Sequence, residues 1–249
     1  RKSYNLDFVK KHPLIFLLSL LFMGVMAILI YHNNYYIAAL PLGLIVLYIS
    51  IFYQSETFLL IAFLTPLSVN LEEFTDGKIG LFLPTEPMLF GLMLLTLLHQ
   101  IRFNYLPKHI WKHPIVLSIG FYLLWIFITS ITSTHVGVSF KFLLMKLWFI
   151  IPILLFGTYV FMNKKNIVRF LWLFSVSMSI AILYTLIRHL GYNFGEKEGH
   201  WVMSPLFKDH TIYGAIVAIN LFFLLGLYLS KKHNPLTQVT VLILLGLTL

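Results

Sequence analysis

Long apolar runs recur along the whole chain, and each is separated from the next by a short polar segment. A helix needs about 20 apolar residues to cross a hydrocarbon core about 30 Å thick. Backbone groups in lipid must find their hydrogen-bond partners within the protein, so the sequence predicts an all-α integral membrane protein, a polytopic helical bundle. About nine spans are predicted, at roughly 14–31, 35–53, 57–69, 87–101, 114–131, 142–162, 166–187, 211–230 and from 236 onwards.

The basic residues alternate in step with these spans. If the N-terminus is cytoplasmic, the loops after the second, fourth, sixth and eighth spans are cytoplasmic as well, and they should carry Lys and Arg. The start of the chain and these loops do hold most of them: Arg1, Lys2, Lys10, Lys11, Arg102, Lys108, Lys112, Lys164, Lys165, Arg169, Lys231 and Lys232. The alternation therefore predicts a cytoplasmic N-terminus and two larger outer loops, 70–87 and 188–210.

Composition excludes several other classes of protein. With 59% hydrophobic and 11% charged residues, the chain is far from the balance of a soluble domain. The net charge of +9 is divided among short clusters between apolar runs, so no nucleic acid partner is expected. Cysteine is absent from the sequence, which excludes disulfides and thiol chemistry. Because the sequence ends inside an apolar run, we expect 1–249 to be a single but incomplete transmembrane domain, truncated at its C-terminus.

The longest polar interruption is residues 188–214, RHLGYNFGEKEGHWVMSPLFKDHTIYG. Its last ionisable residues, Lys208, Asp209 and His210, precede the eighth predicted span. Lysine can neutralise a phosphate as a point charge, and histidine can accept a proton near neutral pH. The alternative is a solvated loop that merely caps the next helix, with Asp209 or Thr211 as the N-cap residue.

Three further sets of residues are weaker candidates. Lys146, near the start of the sixth span, either extends its ammonium to the interface or contacts a phosphate. Glu86 precedes the fourth span and either carries chemistry or complements the helix dipole. A zinc site formed by His189, His200 and His210 is conceivable, but their spacing matches no ligand pattern, so neither a metal nor another cofactor is expected.

Three segments carry a resemblance to a known family. SPLFKDHTIYGAIVAINLFFLL places an aromatic, a short polar cluster and small residues at the start of a span. LFLPTEPMLFGLMLL is a proline-rich outer turn leading into a span, and Lys141 and Lys146 lie at the start of the sixth span. In these features the chain resembles the N-terminal part of the O-antigen ligase and O-antigen polymerase superfamily, multi-span enzymes of bacterial envelope polysaccharide assembly.

The resemblance implies glycosyl transfer at the periplasmic face of the bacterial inner membrane, without a metal. The glycan would pass from an undecaprenyl diphosphate carrier in the membrane lipid to lipid A core or a related saccharide or glycolipid acceptor. The substrate-binding residues implied are Lys208, Arg188, Lys146, His200 and Asp209, with His210 as the catalytic candidate that orients or deprotonates the acceptor hydroxyl. The family's long outer loop follows later spans, so the general base is expected beyond Leu249.

Other functions are compatible with the same sequence. An O-antigen polymerase would bind the same donor and differ in its acceptor. A transporter or flippase for a lipid-linked or small solute would place ionisable residues near the bilayer midplane, in broken helices. The predicted spans carry almost no charge, whereas polar residues gather at their outer ends, which favours chemistry at the interface. A non-catalytic membrane scaffold is the remaining alternative.

Overall fold

A computed structural model describes residues 19, 21–25, 27, 28, 31, 39–74, 80–103, 108–229 and 235–248. The chain forms two compact units, Arg1–Phe52 and Tyr53–Leu249. Half of the first predicted span lies outside the described residues, as do residues 75–79 of the first predicted outer loop. The single domain 1–249 stays a prediction.

The described part of the chain is predominantly α-helical. In the first unit, helix α1 covers Ala39–Phe52. The second unit contains α2 (Gln54–Leu64), α3 (Thr85–Phe103), α4 (Lys108–Trp111), α5 (Pro114–Ile131), α6 (Val136–Phe161), α7 (Lys164–Leu190), α8 (His210–Leu229) and α9 (Pro235–Thr248). A short antiparallel ladder pairs β1 (Val69–Asn70) with β2 (Phe82–Leu83). The all-α prediction is therefore confirmed.

Four of these helices, α5, α6, α7 and α8, are long and apolar enough to cross a membrane. The third predicted span is short in the sequence and also in the structure, where α2 has 11 residues and ends in the 3₁₀ turn Thr65–Leu67. At about 1.5 Å per residue such a helix is only about 17 Å long, which is short of the hydrocarbon thickness. The structure thus supports a helical membrane protein, whereas the nine spans and the cytoplasmic N-terminus stay predictions.

Local sequence explains where the long helices begin and bend. Helix α5 starts after His113, whose ring accepts a hydrogen bond from the Ile115 amide at 3.3 Å. Helix α7 starts after Asn163, whose side-chain oxygen accepts from the Lys165 amide at 3.1 Å. Within α6 the backbone passes through a π-helical segment, Ile151–Phe156, that contains Pro152. Proline lacks the N–H that an α-helix needs at this point, so the hydrogen-bond pattern shifts locally.

Helix α7 is the element against which the site is built. It packs against α2, α8 and α9. Its buried face is rich in small and hydroxyl-bearing residues, which allow helices to approach closely: Ser175, Ser177, Met178, Ser179, Ala181, Ile182 and Thr185. Two apolar clusters lie along this helix, one around Met178 and the other between Leu171 and Leu224.

Both ends of α7 carry arginine contacts. Near its start, Arg169 donates to the Glu56 carboxylate at 2.9 Å. Near its end, Arg188 contacts the segment that leads to α8. At about 1.5 Å per residue, these two arginines are about 28 Å apart along the helix axis, close to the thickness of a hydrocarbon core. The separation of the polar contacts is therefore what a single membrane crossing by α7 requires.

Polar side chains are also buried between the helices, where the sequence led us to expect few. Ser175 and Asn220 are fully buried. In the described part of the chain, neither the Ser175 hydroxyl nor either amide atom of Asn220 has a hydrogen-bond partner. Leaving a buried polar group unpaired costs about 1 to 3 kcal/mol, so these atoms weaken the packing of α7 on α8.

Replacement of Asn220 by leucine should therefore stabilise the protein. We expect Asn220→Leu to raise the free energy of unfolding by about 1 kcal/mol, because an apolar side chain of similar size removes an unpaired amide. Thermal unfolding in detergent micelles measures the change. Asn166→Leu is the matched control and should lower stability, since the Asn166 amide donates to the Val160 carbonyl at 3.0 Å. A lower melting temperature for Asn220→Leu would contradict the prediction.

Candidate functional site

The two predicted outer loops are joined to each other. The Lys208 ammonium donates to the Glu72 carboxylate at 3.1 Å, and both side chains are partly exposed. The backbone N–H of Asn70 donates to the Pro205 carbonyl at 3.0 Å. A charged contact and a backbone contact thus connect the segment after α2 with the segment before α8. The sequence placed both on the same side but gave no indication of these pairs.

The segment between α7 and α8 is packed rather than fully solvated. Val202, Met203 and Phe207 are almost completely buried, with 1%, 2% and 5% of their surfaces exposed. They contact the apolar cluster that includes Met178 and Ile182 of α7. This part of the stretch is therefore not fully solvated, although Lys208 and His210 are exposed, as the alternative of a solvated capping loop expects. These buried apolar residues fix the path of the backbone that carries the charged residues.

Arg188 holds the backbone of this segment. Its guanidinium donates to the Val202 carbonyl at 3.3 Å and also to the Ser204 carbonyl. The hydroxyl of Tyr184 donates to the same Ser204 carbonyl at 3.0 Å, and Trp201 lies 5.3 Å from the guanidinium. Arg188 therefore positions the segment that carries the other candidates. Its predicted contact with a diphosphate is untested and stays a prediction.

His200 and His210 lie side by side. Their Nδ1 atoms are 3.3 Å apart, the ring centres are 4.4 Å apart, and the ring planes meet at 79°. His189 is directed elsewhere, because its Nε2 atom donates to the Gly195 carbonyl at 3.0 Å. Among the residues that the structure describes, no group of three His, Cys, Asp or Glu side chains could hold a metal ion. Two of the three histidines considered from sequence thus converge, and the third does not.

Asp209 caps α8. Its Oδ1 atom accepts a hydrogen bond from the Ile212 amide at 2.9 Å, immediately before the helix starts at His210. This backbone hydrogen bond holds the pKa of Asp209 below its ordinary value. Of the two N-cap residues considered from sequence, Asp209 fills the position. The carboxylate also leaves a negative charge beside the imidazole of His210.

Glu72 belongs to the site, although sequence reasoning did not select it. The hydrogen bond from Lys208 lowers the pKa of Glu72, and a weaker one from the Asn70 side chain at 3.4 Å acts in the same direction. Glu72 is therefore ionised at neutral pH and compensates the charge of Lys208. The only signal in the sequence was the acidic character of the outer segment 70–87.

Lys146 and Glu86 lie on other helices. The Lys146 ammonium lies 5.1 Å from the centre of the Phe142 ring on α6, a helix that packs against α3 and α5. Glu86 lies in the first turn of α3, where a negative charge complements the helix dipole. A shared phosphate contact of Lys146 and Lys208 stays a prediction.

In comparisons with protein-family models, curated proteins and solved structures, none matches this chain. The resemblance to the O-antigen ligase and polymerase superfamily therefore rests on the residues and the order of the spans alone.

Removal of the Arg188 side chain should loosen the segment before α8. We expect Arg188→Met to accelerate hydrogen exchange of the Ser204 and Phe207 amides by about tenfold, the effect of losing one hydrogen bond to a charged group. Mass spectrometry of the exchanged protein measures it. Arg169→Met, which removes an arginine at the other end of α7, is the control and should leave these amides unchanged. Equal exchange in both variants would show that Arg188 does not position the segment.

Removal of the Asp209 carboxylate should destabilise α8 in a pH-dependent way. Because folding lowers the pKa of Asp209, its stabilisation is present above the ordinary aspartate pKa of about 3.9 and is lost as pH falls through the lower folded value. The melting temperature of Asp209→Ala should therefore lie below that of the unsubstituted protein near neutral pH and approach it in acid.

Asp209→Ser is the control for this experiment, since a serine hydroxyl also caps a helix but does not titrate. It should retain most of the stability near neutral pH. A pH-independent difference between Asp209→Ala and the unsubstituted protein would contradict the assignment of the cap.

Proposed function

We propose that this chain is part of a glycosyl transfer enzyme of the O-antigen ligase type in the bacterial inner membrane. It moves a glycan from an undecaprenyl diphosphate carrier to lipid A core or a related acceptor on the periplasmic side. The observation that carries the proposal is the contact of His200 with His210, with Lys208 and Asp209 next to His210 in the chain, at the start of a membrane-length helix. The resemblance described from the sequence supplies the substrate class.

The proposed chemistry needs only a cation and a proton acceptor. The acceptor hydroxyl oxygen attacks the anomeric carbon of the donor, the bond from that carbon to the diphosphate breaks, and the diphosphate leaves on its lipid carrier. Lys208 neutralises charge that develops on the leaving group, and His210 orients the hydroxyl or accepts its proton. Lys208 is exposed, so its ammonium can contact a phosphate while Glu72 remains nearby.

Glu72 makes the role of Lys208 testable. If Lys208 acts only by tethering the two outer segments, loss of either partner removes the same ion pair and should have the same effect. If Lys208 binds the donor, only its own loss removes the cation, whereas loss of the Glu72 carboxylate leaves an uncompensated ammonium for the diphosphate. The two variants therefore separate a tether from a ligand-binding group.

We expect Lys208→Met to raise the KM for the lipid-linked donor by about tenfold, the value of one charge-assisted hydrogen bond. Glu72→Gln should leave the KM unchanged or lower it. The assay follows transfer of glycan from undecaprenyl diphosphate to lipid A core by the complete protein in membranes. Lys165→Met, at the opposite end of α7, is the control. Equal losses of transfer activity in Lys208→Met and Glu72→Gln would show that Lys208 acts only by joining the two outer segments.

The substitution at the second key position is His210→Gln, which should lower kcat with little change in KM. Normal transfer by both Lys208→Met and His210→Gln, at unchanged protein abundance, would overturn the proposed site.

Full-length O-antigen on lipid A core in cells that lack the gene would overturn the ligase function. A polymerase would instead be revealed by loss of chain elongation with ligation intact.

The buried polar atoms of Ser175 and Asn220 favour a second candidate function, that of a transporter or flippase. A transporter or flippase needs polar groups between its helices, and these unpaired atoms lie within the packed part of α7 and α8. Solute uptake into proteoliposomes distinguishes the two functions. If the unsubstituted protein takes up solute but transfers no glycan, and Asn220→Leu abolishes the uptake, the transport function is the correct one.

A further inference from the structure

The geometry of the histidine pair matches that of two ligands on one metal ion. Two nitrogens that each lie about 2.0 to 2.1 Å from a tetrahedral Zn²⁺ ion are about 3.3 to 3.4 Å apart. The Nδ1 atoms of His200 and His210 are 3.3 Å apart, and both residues are exposed, so an ion in solution can reach them. The same distance also fits a hydrogen bond between the rings, and experiment must separate these two possibilities.

The fold fixes the backbone that carries both rings. His200 ends the 3₁₀ turn Glu198–His200, and His210 is the first residue of α8. The intervening chain is held by the buried side chain of Phe207 and by the hydrogen bond from the backbone N–H of Asn70 to the Pro205 carbonyl. The two imidazoles are thus brought together by the surrounding fold, which lowers the entropic cost of chelation.

The local charges permit a cation. The start of α8 carries the positive end of its helix dipole, which by itself disfavours a metal ion. The Asp209 carboxylate offsets this effect because it lies beside His210 in the chain, and the charge of Lys208 is compensated by Glu72. The balance of these neighbouring side chains is one negative charge in excess.

We propose that His200 and His210 form a two-histidine site for a divalent transition metal of the Zn²⁺ class, bound through both Nδ1 atoms. Neutral imidazole is a favourable ligand for Zn²⁺, Cu²⁺ and Ni²⁺. Because the described residues provide no third His, Cys, Asp or Glu at this position, water completes the coordination shell, and binding is reversible. The proposal does not depend on glycosyl transfer, and it is tested without donor or acceptor.

Titration of the purified protein with Zn²⁺ alone, followed by isothermal calorimetry in detergent, tests the site. We expect one saturable binding event that is reversed by a chelator. His200→Ala and His210→Ala should each weaken it by about a hundredfold, because a chelate becomes a single ligand. His135→Ala is the matched control, since His135 is an exposed histidine that immediately precedes another helix, α6, and it should leave binding unchanged.

A second measurement uses the unsubstituted protein and does not depend on the folding of variants. Electron paramagnetic resonance of the protein loaded with one equivalent of Cu²⁺ should show hyperfine coupling to two imidazole nitrogens. Coupling to one nitrogen, absence of saturable Zn²⁺ binding, or undiminished binding in either histidine variant would each overturn the proposal and leave the pair as a hydrogen bond.

Discussion

The packing of apolar side chains against the last turns of α7 is the interaction on which the candidate site depends. Val202, Met203 and Phe207 are buried against this helix, and the polar residues between α7 and α8 take their positions from that contact. Arg188 adds hydrogen bonds to the same backbone from the helix side. A segment that looks hydrophilic is therefore ordered in large part by its few apolar residues, because full burial of one such side chain contributes about 1.5 to 3 kcal/mol.

Charge compensation is the second organising principle. Two ion pairs, Lys208 with Glu72 and Arg169 with Glu56, join residues that are distant in sequence and lie near an end of the helices. Exposed pairs of this kind add little stability. In the proposed site the importance of the Lys208–Glu72 pair is electrostatic, since Glu72 would partly compensate the positive charge that Lys208 offers to the diphosphate. The carboxylate of Asp209 likewise places a negative charge beside the histidine pair.

The interior of the bundle combines close packing with unpaired polar atoms. Small residues on α7 allow its neighbours to approach, and hydroxyls such as that of Ser179 donate to the backbone of their own helix, as is common in membrane helices. Asn220 is different, because neither polar atom of its buried side-chain amide has a hydrogen-bond partner among the described residues. It either weakens the packing or serves a ligand, and it thereby connects the stability of the bundle with the choice between transfer and transport.

The sequence by itself determined the features that depend on hydrophobicity and local signals. Apolar runs of membrane length predicted α5, α7 and α8 to within a few residues, and the polar residues after Phe207 predicted a cap that Asp209 provides. The helix predicted at 57–69 is short in the structure as well, but it is offset and covers Gln54–Leu64, because a run of apolar residues does not reveal the 3₁₀ turn at Thr65–Leu67 that ends it.

Only the tertiary structure decided which polar residues meet. Glu72 and Lys208 are separated by well over a hundred residues, and His200 and His210 by a segment whose path depends on what it packs against. Which residues form such pairs depends on how the segments that precede and follow α7 in sequence pack against this helix. Periodicity and composition record only which face of a helix is apolar, so they contain no information on these partners.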